Sequence, residues 1–190
     1  KSPRCVDTKL AQQLSARAEQ FGIQVAAIVM DPAADFLAEL IDSVPLHFVQ
    51  LHGSENLDIL KVCGNLPIIK ALSWSGRAEE SRLAREWSSV GSQLHALLVD
   101  AYAPNEGGGT GRVADWEALF PRPEEMQQSP MWLAGGLRPD NVGASILATR
   151  CEGVDTASGV ESAPGRKEPD AVREFALQAR AAFQEIANDA

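Results

Sequence analysis

Short apolar runs alternate with amphipathic segments along the whole chain. Apolar runs without polar alternation are typical of strands buried on both faces, and apolar residues at three- and four-residue spacing are typical of helices. The apolar runs predict six strands, over residues 23–30, 46–51, 66–72, 95–100, 131–134 and 153–156. The amphipathic segments predict helices over residues 9–21, 33–43, 55–63, 77–90, 115–119, 139–148 and 169–187.

This alternation of strands and helices indicates a parallel α/β fold. An open doubly wound sheet normally carries a glycine-rich loop after its first strand. Here the glycines cluster after the last three predicted strands, which favours a (β/α)8 TIM barrel. A complete barrel of this kind has eight strands. We therefore expect residues 1–190 to form a single phosphate-binding barrel domain, N-terminally incomplete, with about six of the eight strands.

Two glycine loops are the most distinctive part of the chain. They are the AGGL of residues 134–137 and the GVDTASGVE of residues 153–161. Glycine has no Cβ, so its backbone N–H can approach a ligand closely, and two such loops at helix N-termini make a pocket for one phosphate. In a TIM barrel that pocket follows strands seven and eight. We predict that it is formed by Gly135, Gly136, Ser158 and Gly159.

Polar side chains close two of the predicted strands. Asp100 ends the run 97–99, and a carboxylate at the carboxyl end of a barrel strand points into the active-site mouth. Partial burial there would raise its pKa and suit it to proton donation; a helix cap or an ion-pair partner is the alternative. Gln50 and His52 share one strand face by the two-residue period. They could line the mouth, or His52 could be a hydrogen-bonded structural residue.

Two further features leave alternatives open. The glycine-rich segment 107–111 predicts either a loop that closes over a substrate or a plain flexible connection. Lys70 ends another apolar strand and could contact either a substrate or a neighbouring carboxylate.

Composition narrows the classes of function. The 190 residues carry a net charge of −9, which disfavours a nucleic-acid partner, and no apolar run is long enough for a membrane span. The cysteines Cys5, Cys63 and Cys151 are odd in number and lack a CxxC pair. We therefore predict neither a disulfide framework nor a metal site, no cofactor, and a cytoplasmic location.

Short segments spread over the whole chain match one family in the right order. They are KSPR at 1–4, VQLHGSE at 49–55, LVD at 98–100, GGTG at 108–111, DW at 115–116, LAGGLRPDNV at 133–142, VDTASGVES at 154–162 and PGRK at 164–167. Together they resemble phosphoribosylanthranilate isomerase of tryptophan biosynthesis.

The resemblance implies an intramolecular oxidoreductase that performs an Amadori rearrangement. N-(5-phosphoribosyl)anthranilate becomes 1-(2-carboxyphenylamino)-1-deoxyribulose 5-phosphate. It implies that Asp100 is the general acid that protonates the furanose ring oxygen, and that Arg4 contacts the anthranilate carboxylate. It places the phosphate at the two glycine loops. Gln50, His52 and Gly109 complete the predicted substrate-binding set. The expected partner is a small phosphosugar, and the expected assembly is a monomer or a homodimer.

The resemblance also implies a general-base cysteine, in a Lys-x-Cys-Gly motif at the end of the family's first strand. No position of this sequence matches that motif. Cys5 directly follows the SPR segment, and Cys63 follows a predicted helix. We therefore expect the family's opening strand–helix–strand to lie before Lys1, and residues 1–190 alone not to isomerise the substrate at an enzymatic rate.

Two other functions stay open on the sequence. One is a truncated, catalytically inactive barrel that binds a phosphate or a partner chain. The other is a different phosphosugar barrel enzyme. An epimerase would need metal-ligating histidines and acids at strand ends, and an indole-glycerol-phosphate synthase would need a strand-end lysine that works with a glutamate.

Overall fold

The computed structural model describes residues 2–100 and 116–189. Its main sheet has six strands in chain order, and every neighbouring pair is parallel. The sheet is curled and has no switch point, which confirms the barrel-type fold over the doubly wound one. The strands are β1 Ala26–Val29, β2 Phe48–Leu51, β3 Ile68–Ser73, β4 Leu94–Asp100, β5 Met131–Ala134 and β6 Gly153–Val154.

Helices follow the strands as the sequence predicts. Asp7 caps the first helix, because its Oδ1 accepts a hydrogen bond from the Leu10 N–H at 2.7 Å. Among the described residues, none of the helices is both long enough and apolar enough to cross a membrane. The α-helices are α1 Thr8–Glu19, α2 Ala34–Ser43, α3 Leu60–Cys63, α4 Ala78–Ser88, α5 Val142–Thr149 and α6 Pro169–Asn188.

Several predicted boundaries are wrong. The helix predicted from residue 139 begins at Val142, because a polar turn replaces its first turn. In that turn the Arg138 N–H donates to Asn141 Oδ1 at 2.7 Å, and the Asn141 side-chain amide donates to the Gly136 carbonyl at 3.1 Å. The strand predicted over 153–156 ends at Val154. The helix predicted over 55–63 is a short 3-10 turn followed by α3.

A small hairpin near the C-terminus was missed. It pairs β7 Glu161–Ala163 with β8 Arg166–Lys167 in an antiparallel ladder. Gly165 lies in its turn at a φ of 81°, a left-handed value that favours glycine. The Pro164-Gly165 pair was the available signal, since that dipeptide is typical of tight turns.

The two faces of the main sheet build two separate cores. On the outer face, strand residues such as Leu51, Leu97 and Leu133 pack against the helices. On the inner face a smaller cluster gathers Phe48, Ile69, Ala71, Leu98 and Ala134, with Trp132 against it. Because side chains alternate along a strand, every second residue continues the inner rows. His52 and Asp100 extend those rows to the carboxyl edge of the sheet.

Lys70 and Glu55 form a buried ion pair next to α4. Their side chains are each 3% exposed, and Lys70 Nζ lies 2.7 Å from Glu55 Oε2 and 2.6 Å from the Gly53 carbonyl. Burial by itself would raise the pKa of Glu55. Hydrogen bonds from Lys70 and from the Asp31 N–H outweigh burial and lower that pKa below its ordinary value. Of the two predicted partners of Lys70, the neighbouring carboxylate is therefore the one observed.

We expect Lys70→Met to lower the free energy of unfolding by about 3–5 kcal/mol, because it leaves the Glu55 carboxylate buried without a cation. The measurement is urea unfolding at neutral pH. The matched control is Lys61→Met, which breaks the exposed pair with Asp58, where both side chains are more than 70% exposed. Lys61→Met should lower the free energy of unfolding by about 1 kcal/mol or less.

The stability that the Lys70–Glu55 pair contributes depends on pH in a defined direction. Because the pKa of Glu55 is lowered on folding, the pair's contribution is present above the ordinary value of 4.5 and is lost as pH falls through the folded pKa. The difference in the free energy of unfolding between the Lys70→Met variant and the unsubstituted protein should therefore become smaller in acid. Equal losses for the Lys70 and Lys61 variants would contradict this account.

Candidate active site

Asp100 stands at the carboxyl end of β4, in the inner row that contains Leu98. Its backbone is paired with Ser73 of β3 on one side and with Ala134 of β5 on the other. Burial raises the pKa of Asp100 above its ordinary value, and the charge of His52 offsets part of that rise. A carboxyl group that keeps its proton to a higher pH than a surface aspartate is suited to act as a general acid.

Gln50 lies on the inner face of β2, and His52, the residue directly after the strand, continues the same row, as the two-residue period predicts. Gln50 is buried, and its side-chain nitrogen lies 3.3 Å from His52 Nδ1. The backbone N–H of His52 donates to the Val29 carbonyl at 2.9 Å. Gln50 therefore holds the His52 ring at the same edge of the sheet as Asp100.

Asp155 is a third polar group at this edge, and it was not among the predicted site residues. It directly follows β6, where its N–H donates to the Leu133 carbonyl at 2.8 Å. Burial raises the pKa of Asp155; His52 and Lys167 lower it, and Asp100 raises it further. The signal was the one used for Asp100, a carboxylate after an apolar strand. The overlong strand predicted over 153–156 concealed it.

A cavity of about 670 Å³ opens at the carboxyl ends of β1 to β4. His52 and Asp100 line it, together with charged side chains from the start of α4 such as Arg77 and Arg82. The glycine loops lie past Asp100, after β5 and β6. Asp100 lines the cavity, and its backbone partner Ala134 is followed immediately by Gly135 of the first glycine loop.

The structure brings the two predicted phosphate loops into contact. Thr156 Oγ1 donates to the Leu137 carbonyl at 2.7 Å. A Cβ placed on Gly159 would lie 1.8 Å from the same carbonyl oxygen, so only glycine fits there. Gly135 and Gly136 have φ values of 91° and 66°, which also favour glycine. All four predicted phosphate residues therefore lie on two adjoining loops.

One element at the second loop differs from the prediction. Ser158–Val160 forms a 3-10 turn rather than the start of an α-helix. On the first loop, α5 begins only at Val142. Backbone N–H groups of the loops themselves are therefore the candidate phosphate donors, with little contribution from a helix terminus.

Arg4 lies beside the second glycine loop. Its Nε donates to Glu161 Oε1 at 2.8 Å, and its Nη2 donates to the other oxygen of the same carboxylate. Lys167 Nζ lies 3.0 Å from Glu161 Oε1 and 2.6 Å from the Ala157 carbonyl. The sequence predicted Arg4 as a ligand of a substrate carboxylate. In the structure, the carboxylate of Glu161 accepts both of these hydrogen bonds from Arg4.

The remaining predicted groups are accounted for separately. Gly109 and its glycine-rich segment lie outside the described residues. Within the described part of the chain, no three His, Cys, Asp or Glu side chains are close enough to hold a metal ion. Cys63 ends α3 as predicted, and burial raises the pKa of its thiol to about 11. A thiol with that pKa is almost entirely protonated at neutral pH, so Cys63 is a poor candidate for a general base.

Comparison with known proteins gives a consistent result. The family model described as N-(5'phosphoribosyl)anthranilate (PRA) isomerase matches residues 1–178. An N-(5'-phosphoribosyl)anthranilate isomerase from Myxococcus xanthus is 40% identical over 180 residues, which make up 95% of this chain and 82% of the relative.

Solved structures agree with this match. Phosphoribosyl anthranilate isomerase from Thermotoga maritima superposes with a TM-score of 0.81 at 28% identity, covering 95% of this chain and 84% of that one. A phosphoribosyl anthranilate isomerase in complex with reduced 1-(o-carboxyphenylamino)-1-deoxyribulose 5-phosphate superposes with a TM-score of 0.77 at 25% identity. That match covers 95% of this chain and 83% of the other.

Proposed function

Because the chain belongs to the N-(5'-phosphoribosyl)anthranilate isomerase family, an enzyme family of tryptophan biosynthesis, we propose the role of each residue in its site. The activity is the isomerisation of phosphoribosylanthranilate by an Amadori rearrangement. The substrate carries a carboxylate at one end and a phosphate at the other, with the reacting sugar carbons between them. The site must therefore hold two anions and deliver a proton in the middle.

Asp100 is the general acid. The observation that carries this assignment is its place: a half-buried carboxyl with a raised pKa that lines the cavity and is paired with Ala134, the residue before the first glycine loop. Asp100 gives its proton to the furanose ring oxygen. As the ring C–O bond breaks, the lone pair of the anthranilate nitrogen forms the iminium. A base then removes the proton from C2, and the resulting enolamine tautomerises to the ketone product.

The two ends of the substrate are held by different segments. The phosphate is bound by backbone N–H groups of Gly135, Gly136, Ser158 and Gly159, whose loops adjoin each other. Arg4 binds the anthranilate carboxylate through its planar guanidinium. Gln50 and His52 line the inner face near the sugar, and Gly109 contributes from its glycine-rich segment.

Asp155 and His52 set the electrostatics around Asp100. Two acids that interact and share one nearby histidine titrate together rather than independently. A carboxylate at Asp155 helps stabilise the cationic iminium that forms when the ring opens. This assignment rests on the place of Asp155 directly after β6, at the same edge of the sheet as Asp100, and on the influence of Asp100 and His52 on the pKa of Asp155.

Assembly and location remain as the sequence suggests. We propose a cytoplasmic enzyme that is a monomer or a homodimer. All three cysteines are free thiols, which is consistent with a reducing compartment. Sedimentation velocity distinguishes the two assembly states.

The function is tested by two assays on two forms of the protein. One form is residues 1–190 alone; the other adds the family's opening strand–helix–strand, whose first strand ends in the Lys-x-Cys-Gly motif. We expect both forms to bind reduced 1-(o-carboxyphenylamino)-1-deoxyribulose 5-phosphate. Loss of substrate fluorescence should be fast only in the form with a positioned base. Turnover by residues 1–190 that Cys5→Ser abolishes would contradict this assignment of the base.

A further inference from the structure

Among the residues that the structure describes, Glu161 is the side-chain partner of the Arg4 guanidinium. Glu161 takes the side edge, where Nε and Nη2 each donate to one of its carboxylate oxygens. A guanidinium has five N–H donors, so these two bonds leave the end edge, between Nη1 and Nη2, for another acceptor. The Arg4 side chain is 39% exposed, so the side chain is not closed off by the pair with Glu161.

Glu161, in contrast, is fixed on all sides. Its side chain is 3% exposed, and Lys167 Nζ makes a third charged contact to it at 3.0 Å. The hydrogen bond from Arg4, aided by Lys167 and opposed by burial, lowers the pKa of Glu161 to about 2. A carboxylate with that pKa is ionised at neutral pH.

The side chains of Arg4, Glu161 and Lys167 form a cluster with a net positive charge. Arg4 and Lys167 are cations and Glu161 is an anion, so the three side chains carry one positive charge. The whole chain carries a net charge of −9, so an anionic ligand needs such a local excess to bind. Lys167 thus cancels the repulsion that Glu161 alone would exert on a second carboxylate.

The cluster also joins the two ends of the site. Arg4 precedes α1, whereas Glu161 directly follows the Ser158–Val160 turn of the second glycine loop. Lys167 donates to the Ala157 carbonyl of that loop at 2.6 Å. Glu161 therefore links the segment that carries Arg4 to the end of the second glycine loop.

Resting on the function proposed above, we infer that Glu161 is a positioning residue that aims the end edge of Arg4 at the anthranilate carboxylate. A long arginine side chain on an exposed segment loses rotamer freedom when it binds a ligand. Glu161 imposes that order before the substrate arrives. Affinity for the carboxylate end should then depend on Glu161, and affinity for the phosphate end should not.

The test measures binding of two probes to the full chain by titration calorimetry. One probe is reduced 1-(o-carboxyphenylamino)-1-deoxyribulose 5-phosphate, and the other is the same compound without its carboxyl group. The variants are Glu161→Gln and Arg4→Gln. The matched control is Asp170→Asn, which removes one acid from the exposed pair with Arg173.

The unsubstituted protein should prefer the carboxylate probe. Glu161→Gln should weaken that probe by about tenfold, the equivalent of one charge-assisted hydrogen bond, and leave the other probe unchanged. Arg4→Gln should remove the preference entirely, and Asp170→Asn should change neither affinity. Glu161→Asp keeps the charge with a shorter reach, so it should retain more of the preference than Glu161→Gln.

Three results would overturn the inference, and each points to a different error. If Arg4→Gln removes the preference and Glu161→Gln keeps it, Arg4 needs no positioning and its proposed role stands. If Glu161→Gln weakens both probes equally, Glu161 supports the phosphate loop instead. If the unsubstituted protein shows no preference for the carboxylate, the proposed role of Arg4 fails first.

Discussion

Asp100→Asn is expected to reduce kcat by about 100-fold or more, the contribution typical of a general acid. Asparagine keeps the shape of the side chain but has no proton to give to the furanose ring oxygen. The measurement is made in whichever form turns over, residues 1–190 alone or the form with the added Lys-x-Cys-Gly strand. Affinity for the reduced product analogue should change little, because the analogue needs no protonation.

The control and the pH profile make this prediction specific. Asp58→Asn removes an exposed acid that is paired with Lys61, and it should leave kcat unchanged. For the unsubstituted enzyme, kcat should fall on the alkaline side as Asp100 loses its proton, with the midpoint above the ordinary 3.8 of an aspartic acid. His52→Gln removes the side chain that lowers the pKa of Asp100, so that midpoint should move to higher pH. Near-normal turnover of Asp100→Asn would exclude the assigned role.

Gly159→Ala is expected to weaken binding of the reduced product analogue by about 10- to 100-fold, which corresponds to the loss of one charge-assisted hydrogen bond to the phosphate. The added methyl group would lie 1.8 Å from the Leu137 carbonyl oxygen, so one of the two glycine loops must shift. That shift separates the N–H groups that converge on the phosphate. The loss should appear in KM more than in kcat.

The matched control is Gly143→Ala in α5. A Cβ there would meet nothing closer than the Gln178 carbonyl oxygen at 3.9 Å, and alanine is the better helix former. This variant should bind the analogue normally and be at least as stable as the unsubstituted protein. A large residue at Gly136, whose φ is 66°, should resemble Gly159→Ala. Equal affinities for the two alanine variants would argue against a phosphate site at these loops.

The sequence alone was sufficient for the order and type of most elements. Apolar runs predicted all six strands of the main sheet, because a parallel strand is buried on both faces and leaves a continuous apolar signature. The late clustering of glycines distinguished a barrel from a doubly wound sheet. Asp100 was predictable for the same local reason, since it ends an apolar run. The two loops were predictable because their glycines indicate backbone conformations that other residues rarely adopt.

Only the tertiary structure decided which polar groups act together. Lys70 and Glu55 are fifteen positions apart and could each have faced a substrate; packing beside α4 paired them instead. Arg4 and Glu161 are 157 positions apart, and no local pattern relates them. Asp155 was predicted inside a strand, whereas it follows β6. The length of β6, the last strand of the sheet, depends on its pairing with β5. Local patterns report burial and backbone conformation, whereas an ion pair or a shared pKa depends on distances in space that the folded chain alone establishes.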